Sequence, residues 1–383
     1  MGRWIPDDAV SFLQALIQID STNPPGNEAQ VAERIASRLE QTGIQIQRIP
    51  LAKGRENLVA RWGRGKRKLL FCGHMDTVTL GDREGWSVPP FAGKMIENRL
   101  YGRGASDMKS GLAAMVLALE SLADRGAEPQ GEILLLATAG EEVDSCGARC
   151  YVQHGGMEGV DGMVIGEPTG EKIAIGHKGA LWLEVSTRGR TAHGSMPEQG
   201  VNAITHLLYL AQILEKMGLR WRYEDEILGE ESMALTQIHG GVQTNVIPDR
   251  AILTVDIRTV PPREHAKLVR EVEERLGKAR HAFPTLDFTV RTLLNRPAMI
   301  TPPEDPLIQL ALELKGEDEG KVFGVPYYTD GSVLNADRHI PTLIYGPGEI
   351  ALAHQPDEWV DIEAYQRAIT FYQELALRFF QNK

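Results

Sequence analysis

The amino-acid sequence predicts an α/β protein, a helix-covered mixed sheet interrupted by a smaller inserted α+β sandwich. Three observations lead there. At 383 residues the chain exceeds the roughly 250–300 residues at which a single hydrophobic core stops growing, so two domains are expected. Its first part interleaves helical periodicity with short runs that are apolar on both faces, the pattern of strands buried beneath helices. Beyond about His177 the runs alternate with period two, as half-exposed strands do, before the apolar texture returns near the C-terminus.

Taken in order, Asn27 caps a helix that begins at Glu28, carries Val31, Ile35 and Leu39 on one face and stops at Gly43. Apolar runs at 57–60, 68–72, 133–137 and 163–165 read as central strands, with a helix from about 109 to 122 between two of them. The alternating runs 181–187 and 251–258, with helical patterns at 202–216 and 263–276, give the order strand, helix, strand, strand, helix, strand. That is the order of a ferredoxin-like α+β sandwich with its helices on one face. It places an inserted domain at residues 178–292, between two segments of the first domain at 1–177 and 293–383. The second segment adds a helix at 306–314, a strand at 341–345 and a closing helix at 362–379.

Composition excludes several functions. A hydrophobic fraction of 42% and a charged fraction of 24% belong to a folded globular chain, not to a disordered or collagenous one. The apolar stretch 112–119 is far short of the roughly 20 residues of a membrane span and is closed by Glu120. With 41 Lys and Arg against 52 Asp and Glu, the net charge of −11 argues against nucleic acid or an anionic membrane as partner. Residues 1–8 turn acidic where a secretory signal needs an apolar stretch, so no export segment is expected. Three cysteines, Cys72, Cys146 and Cys150, form an odd and sparse set that suits a reducing cytoplasm better than a disulfide framework.

The chemistry-bearing residues follow apolar segments, where open α/β sheets place their ligand crevices. The strand ending at Cys72 runs into Gly73-His74-Met75-Asp76, and His-x-Asp spacing puts both side chains on one face of an extended backbone. Such a histidine binds metal through one ring nitrogen while a nearby carboxylate orients it. The segment Gly102-Arg-Gly-Ala-Ser-Asp107-Met-Lys109 has the glycines of a phosphate loop but lacks the one required before Lys109, and Asp107 would oppose a phosphate. A metal loop fits better, with the two oxygens of Asp107 able to bridge two cations. After the strand 133–137 come Glu141 and Glu142, which an extended backbone would point opposite ways, one as a ligand and the other as a base. Glu167 follows the strand 163–165, and His354 lies in the loop before the last helix. Two histidines with three to four carboxylates and no thiolate suit a two-metal hydrolytic site for zinc, with cobalt or manganese as substitutes.

Together these residues resemble the acetylornithine deacetylase and succinyl-diaminopimelate desuccinylase family of dizinc amidohydrolases, which has aminoacylase, glutamate carboxypeptidase and dipeptidases among its members. The resemblance spans the chain through Gly-His-Met-Asp-Thr-Val from Gly73, Gly-Arg-Gly-Ala-Ser-Asp-Met-Lys from Gly102, Ala-Gly-Glu-Glu from Ala139, Gly-Glu-Pro-Thr from Gly166, Arg-Thr-Ala-His-Gly-Ser-Met-Pro from Arg190 and Ala-His-Gln-Pro-Asp-Glu from Ala353. It implies that His74 and Glu167 hold one zinc, Glu142 and His354 the other, and that Asp107 bridges them. It implies that Asp76 orients His74, that Glu141 is the general base deprotonating a metal-bridging water, and that the Asp107-Met108 peptide is cis. The inserted domain is similar to the family's lid and dimerisation domain. There His193 matches a histidine that stabilises the oxyanion in the partner chain's site, and Asn245 and Arg258 match residues that contact substrate. An arginine ending a strand can grip a carboxylate with two parallel bonds, which makes Arg258 the candidate for the substrate's α-carboxylate. The segment Tyr328-Thr-Asp-Gly-Ser332 resembles a substrate loop. Glutamate at position 167 is linked by the resemblance to deacylases and carboxypeptidases rather than to aminopeptidases.

The sequence therefore predicts a homodimeric dizinc hydrolase of N-acyl-L-amino acids of amino-acid biosynthesis. A dizinc carboxypeptidase or dipeptidase acting on short peptides is the alternative within the family, and a binding protein on the same scaffold the alternative outside it.

Overall fold

Runs that are apolar on both faces fold into the middle of a mixed sheet. The computed structural model describes residues 7–126, 129–220, 223–316 and 321–381, so residues 1–6, part of the segment read for an export signal, lie outside the described residues. The chain divides into two compact units, one of Met1–Gly176, Ile300–Phe323 and Thr329–Lys383, the other of His177–Met299 and Gly324–Tyr328.

A sheet of nine strands contains, side by side, Gln45–Ala52, Arg55–Gly63, Glu132–Thr138, Lys68–His74, Gly162–Ile165, Thr342–Ile344 and Ala174–His177. From Glu132–Thr138 to Thr342–Ile344 the neighbours are parallel, and the strands flanking this block join it antiparallel. Parallel strands need crossovers that cover both faces, which is why Leu69 to Cys72 and Ile133 to Ala137 are apolar without alternation and are buried throughout.

The helix Lys109–Asp124 is buried from Lys109 through Leu122. A helix apolar on all sides is one enclosed on all sides, and it packs against Ala9–Ile17, Ile362–Phe379 and the strand Lys68–His74. A Cβ on Gly111 would stand 1.9 Å from the carbonyl oxygen of Gly166, so glycine lets the first turn of this helix touch the segment that leads to Glu167. Asn27 precedes the helix Glu28–Leu39 but makes no cap with its side chain. Its amide donates to the Asp20 carbonyl at 3.1 Å and its oxygen accepts from Gln30 at 3.1 Å, while the Ala29 amide donates to the Gly54 carbonyl.

The second unit has the expected order of strands and helices. Its antiparallel sheet runs Ser232–Gly240, Arg250–Thr259, Gly179–Arg188, Asp287–Arg296, with helices Ala203–Gly218 and His265–Gly277. Alternate residues Leu181, Leu183 and Val185 meet Leu207, Leu210 and Leu214 of one helix and Leu268 and Val272 of the other in a single core. Period-two alternation thus buries one sheet face beneath both helices.

His177, at the end of its strand, is buried, and burial pulls its imidazole down to about 4. Its Nδ1 donates to the Lys178 carbonyl at 3.0 Å, and Nε2 has no partner. The folded state therefore holds this ring neutral while the unfolded state protonates it near 6.5. Stability conferred by His177 is complete above that value and is lost as pH falls toward 4, by up to about 3 kcal/mol. In urea denaturation from pH 8 to 4.5, His177→Gln is expected to lose less stability than the wild type. Equal slopes would show that another group governs the acid limb.

Candidate metal centre

Three neighbouring parallel strands deliver most of the centre. His74 ends Lys68–His74, Glu141 and Glu142 follow Glu132–Thr138, and Glu167 follows Gly162–Ile165. All three strands present their carboxyl ends, the side on which open sheets bind ligands. Asp107 enters from the loop before Lys109–Asp124, and His354 from the loop before the closing helix. The Asp107-Met108 peptide is cis.

The two carboxylate oxygens of Asp107 face two histidines. Oδ1 lies 3.0 Å from His74 Nε2 and Oδ2 lies 3.4 Å from His354 Nε2. Glu167 stands on the His74 side, 3.8 Å from the same Nε2, and Glu142 on the His354 side at 3.2 Å. His74, Asp107 and Glu142 can bring one ligand atom each within 4.8 Å of one another. Asp107 thus stands between His74 with Glu167 and His354 with Glu142.

The donor chemistry tests whether a cation belongs here. His74 Nδ1 faces the main-chain carbonyl of Asp76 at 2.9 Å, an acceptor, so this nitrogen carries the ring proton. In the neutral ring Nε2 is then a lone pair aimed at the oxygens of Asp107 and Glu167, acceptor against acceptor. Only a proton or a metal cation between them reconciles the arrangement. Glu142 Oε1 is also buried without a hydrogen-bond partner. The residues fit a metal.

The electrostatics agree. Burial lowers the His74 imidazole, but Asp107, Glu167 and Glu142 outweigh it and hold the ring well above its usual range. Hydrogen bonds to Asp107 and Glu142 push His354 up to about 10. Burial raises Asp107, yet both histidines bring it below the carboxylate range. Burial, then Asp107, pushes Glu142 up to about 7 and raises Glu167 well above the carboxylate range. Burial also raises Glu141 well above that range, and no hydrogen bond reaches its carboxylate among the described residues. Crowded buried carboxylates facing two imidazoles are the setting in which bound cations become the dominant local charges.

Two details depart from the sequence reading. Glu141 and Glu142 lie in a turn, not in an extended segment, because the strand ends at Thr138 and Gly140 adopts φ +81°. The contact that orients His74 comes from the Asp76 carbonyl, with the Asp76 carboxylate 3.7 Å from Nδ1. That carboxylate, fully buried, accepts main-chain amides of the turn instead: Gly140 at 3.0 Å and Glu141 at 3.1 Å on Oδ1, Glu142 at 3.2 Å on Oδ2. Asp76 therefore clamps the turn that carries Glu141 and Glu142.

Sequence reasoning passed over Asn23, whose side chain donates to Asp76 Oδ2 at 2.9 Å. The segment around it is laid beside Met75–Thr77 by Ser21 Oγ on the Met75 carbonyl and by amide bonds between Thr77 and Ser21 and between Asn23 and Thr77. The signal was the Thr22-Asn-Pro-Pro-Gly26 turn, which announces a fixed loop but not its partner. Asp330, within the segment read as a substrate loop, is buried, which pushes its carboxyl up to about 6. In the second unit, His193 and Asn245 are brought together: His193 bridges to Val246, the Gly194 amide donates to the Asn245 carbonyl at 2.7 Å, and His193 Nδ1 pairs with Ser195 Oγ at 2.7 Å. Arg258 stands across from Ser232 and Ala180 and is paired with Asp256 at 3.0 Å.

Residues 70–378 match peptidase family M20/M25/M40. The chain belongs to that family. The matched span contains every residue singled out above from His74 to His354. Among curated proteins, the chain is 30% identical to a probable succinyl-diaminopimelate desuccinylase of Staphylococcus aureus (strain MSSA476), with 100% of each chain covered. It is 32% identical to an acetylornithine deacetylase of Proteus mirabilis (strain HI4320), covering 90% of this chain and 88% of that one. Among solved structures, an M20 family metallo-carboxypeptidase from Sulfolobus solfataricus superposes with a TM-score of 0.79 at 19% identity, over 97% of this chain and 99% of that one. The protein is thus an M20 hydrolase of the metallopeptidase and amidohydrolase type. The motif resemblance and the family match agree.

Asp76→Asn tests the clamp. An amide nitrogen in place of one oxygen would face main-chain N–H groups, and hydrogen bonds to a charged acceptor would be lost at about 2–3 kcal/mol. Urea denaturation of the metal-free protein is expected to show that loss. A change below about 0.5 kcal/mol would mean the turn holds itself without Asp76.

Proposed function

We propose that the protein hydrolyses the amide bond of N-acyl-L-amino acids, as an acetylornithine deacetylase or succinyl-diaminopimelate desuccinylase would, with two divalent cations, zinc foremost and cobalt or manganese as substitutes. The observation that carries the hydrolytic reading is Asp107, whose two oxygens face the Nε2 atoms of two histidines, each flanked by its own glutamate. His74 and Glu167 would hold one cation, Glu142 and His354 the other, and Asp107 both. The cations supply Lewis acidity, polarising the amide carbonyl and making water a better acid.

The chain's own groups do the rest. Glu141 is buried beside the ligands and no hydrogen bond reaches its carboxylate among the described residues, so that group is free to take a proton from the attacking water and pass it to the departing amine. A raised basicity, caused by burial, suits that exchange. His193 stabilises the oxyanion, Asn245 contacts substrate, and Arg258 grips the α-carboxylate, the roles given by family resemblance. Glu167 and the desuccinylase and deacetylase names of relatives aligned over most of the chain support an acyl amino acid. The fold shared with a carboxypeptidase keeps a dizinc carboxypeptidase or dipeptidase as the second reading. The three cysteines are unpaired, which suits a cytoplasmic setting, and no described helix is long and apolar enough to cross a membrane.

The test is amine release from N-acetyl, N-succinyl and N-formyl amino acids and from dipeptides, by chelator-stripped protein with and without zinc or cobalt. Metal-dependent turnover of one N-acyl class is expected, and turnover of dipeptides alone would transfer the protein to the second reading. Glu141→Ala is expected to keep its zinc while kcat falls at least about 10²-fold. Loss of zinc would instead make Glu141 a ligand.

A homodimer through the second unit is also proposed. Its edge strand Ser232–Gly240 leaves Leu235 and Ile238 exposed, Ile238 at 52%, and its helix Ala203–Gly218 leaves Leu208 and Tyr209 exposed. An unpaired apolar edge is a template for pairing with a second copy. Sedimentation should give a dimer for the wild type and a monomer for Ile238→Lys; a monomeric wild type would exclude it.

A further inference from the structure

The loop that carries Asp107 ends on a buried carboxylate to which the proposed chemistry gives no part. Glu358 has no exposed surface. Its Oε1 accepts the main-chain amides of Ser106 at 2.7 Å and Asp107 at 2.9 Å, and its Oε2 accepts the amide of Gly104 at 3.0 Å and Nη1 of Arg103 at 2.7 Å. Its own carbonyl accepts the Gly102 amide at 2.8 Å. Main-chain amides at 102, 104, 106 and 107 thus all converge on one residue.

Arg103 extends the bond network. It is nearly fully buried, and besides Glu358 it donates to the carbonyls of Gln355 at 3.2 Å and Thr79 at 3.3 Å. Gln355 and Glu358 belong to the loop of His354, whose Nε2 stands 3.4 Å from Asp107 Oδ2. The loop of the shared carboxylate and the loop of one histidine are therefore tied by the amides that Glu358 gathers and by the buried Arg103–Glu358 ion pair. Burying that pair is expensive, and removing either partner leaves the other charge without compensation. A glycine-bearing loop such as 102–107 has no regular ladder to hold it, so its geometry comes from the acceptor that gathers its amides.

We propose that Glu358 is a positioning residue that fixes Asp107 against His354, so that both cation sites take their geometry from one hydrogen-bonded loop. The proposal rests on the metal reading above. Because Asp107 is common to both ligand sets, displacing its loop is felt at both sites, whereas a fault confined to the Glu142 turn or to Glu167 is felt first at one. Partners that orient ligands commonly change metal affinity or activity by about 10- to 100-fold.

The experiment is a zinc titration of the chelator-stripped full chain in competition with a chromophoric chelator, on wild type, Glu358→Gln and Glu358→Asp. Circular dichroism and thermal unfolding of each protein report folding. Glu358→Gln keeps the shape but turns one acceptor into a donor facing main-chain amides. It is expected to fold, to bind both zinc ions at least about tenfold more weakly, and at saturating zinc to show a kcat lowered about tenfold with KM nearly unchanged. Glu358→Asp retains the charge on a shorter stem and should weaken both sites less; if Glu358→Gln does not fold, this variant decides. Unchanged zinc affinity and kcat in the folded variant, or weakening at one site only, would overturn the proposal. A wild type that binds no zinc would overturn the metal reading itself, and the two failures are told apart by that control.

Discussion

A buried carboxylate that accepts main-chain amides is the interaction on which the centre depends. Asp76, without exposed surface, gathers the amides of Gly140, Glu141 and Glu142 and the side chain of Asn23. Its carbonyl meanwhile fixes the tautomer of His74. One residue thereby sets the position of His74 on its own strand and of Glu141 and Glu142 after the next, and Glu358 gathers the amides of the Asp107 loop in the same way. Strand ends provide proximity, but loops leaving a sheet have no ladder of their own. Charge-assisted hydrogen bonds from amide to carboxylate supply what the ladder no longer does.

The same physics explains how an acidic cluster persists in a chain that is already net negative. Burial and acidic neighbours raise Glu141, Glu142, Glu167 and Asp330, while the two histidines hold Asp107 below the carboxylate range. Arg103 is consumed by Glu358, and Lys109 is turned away to the carbonyls of Leu16 and Ile19. Neither Arg103 nor Lys109 is thus directed at the cluster. Divalent metal supplies the missing positive charge in the proposed function.

His74, Glu142 and Glu167 were legible in the sequence because each follows an apolar run, and a run apolar on both faces is hard to place except at the centre of a sheet, whereas Asp107 was marked by its glycine loop. Two strands and both helices of the inserted unit were legible because period two and period 3.6 alternate cleanly there. What was not legible depends on partners far apart in sequence. Asn23 and Asp76, joined through their side chains, are 53 residues apart, and Glu358 and Gly104 are 254 apart; in the second pair the donor is a main-chain amide, which leaves no mark in the identity of the residue that carries it. The turn at Glu141 escaped for a related reason: Gly140 allows either an extended or a left-handed backbone, and the Asp76 clamp decides. The edge strand Ser232–Gly240 was not marked as a strand because it is exposed on both faces along most of its length, so no period is imposed on it.

The order of segments along the chain also governs how the protein must be made. The smaller unit is nearly continuous in sequence, whereas Thr342–Ile344 must slot between Gly162–Ile165 and Ala174–His177. On the ribosome the inserted unit can fold as it emerges, while the earlier strands wait with an unpaired apolar border until the last tenth of the chain arrives. His354 and Glu358 come in that same late stretch, so no nascent chain can assemble the centre ahead of time.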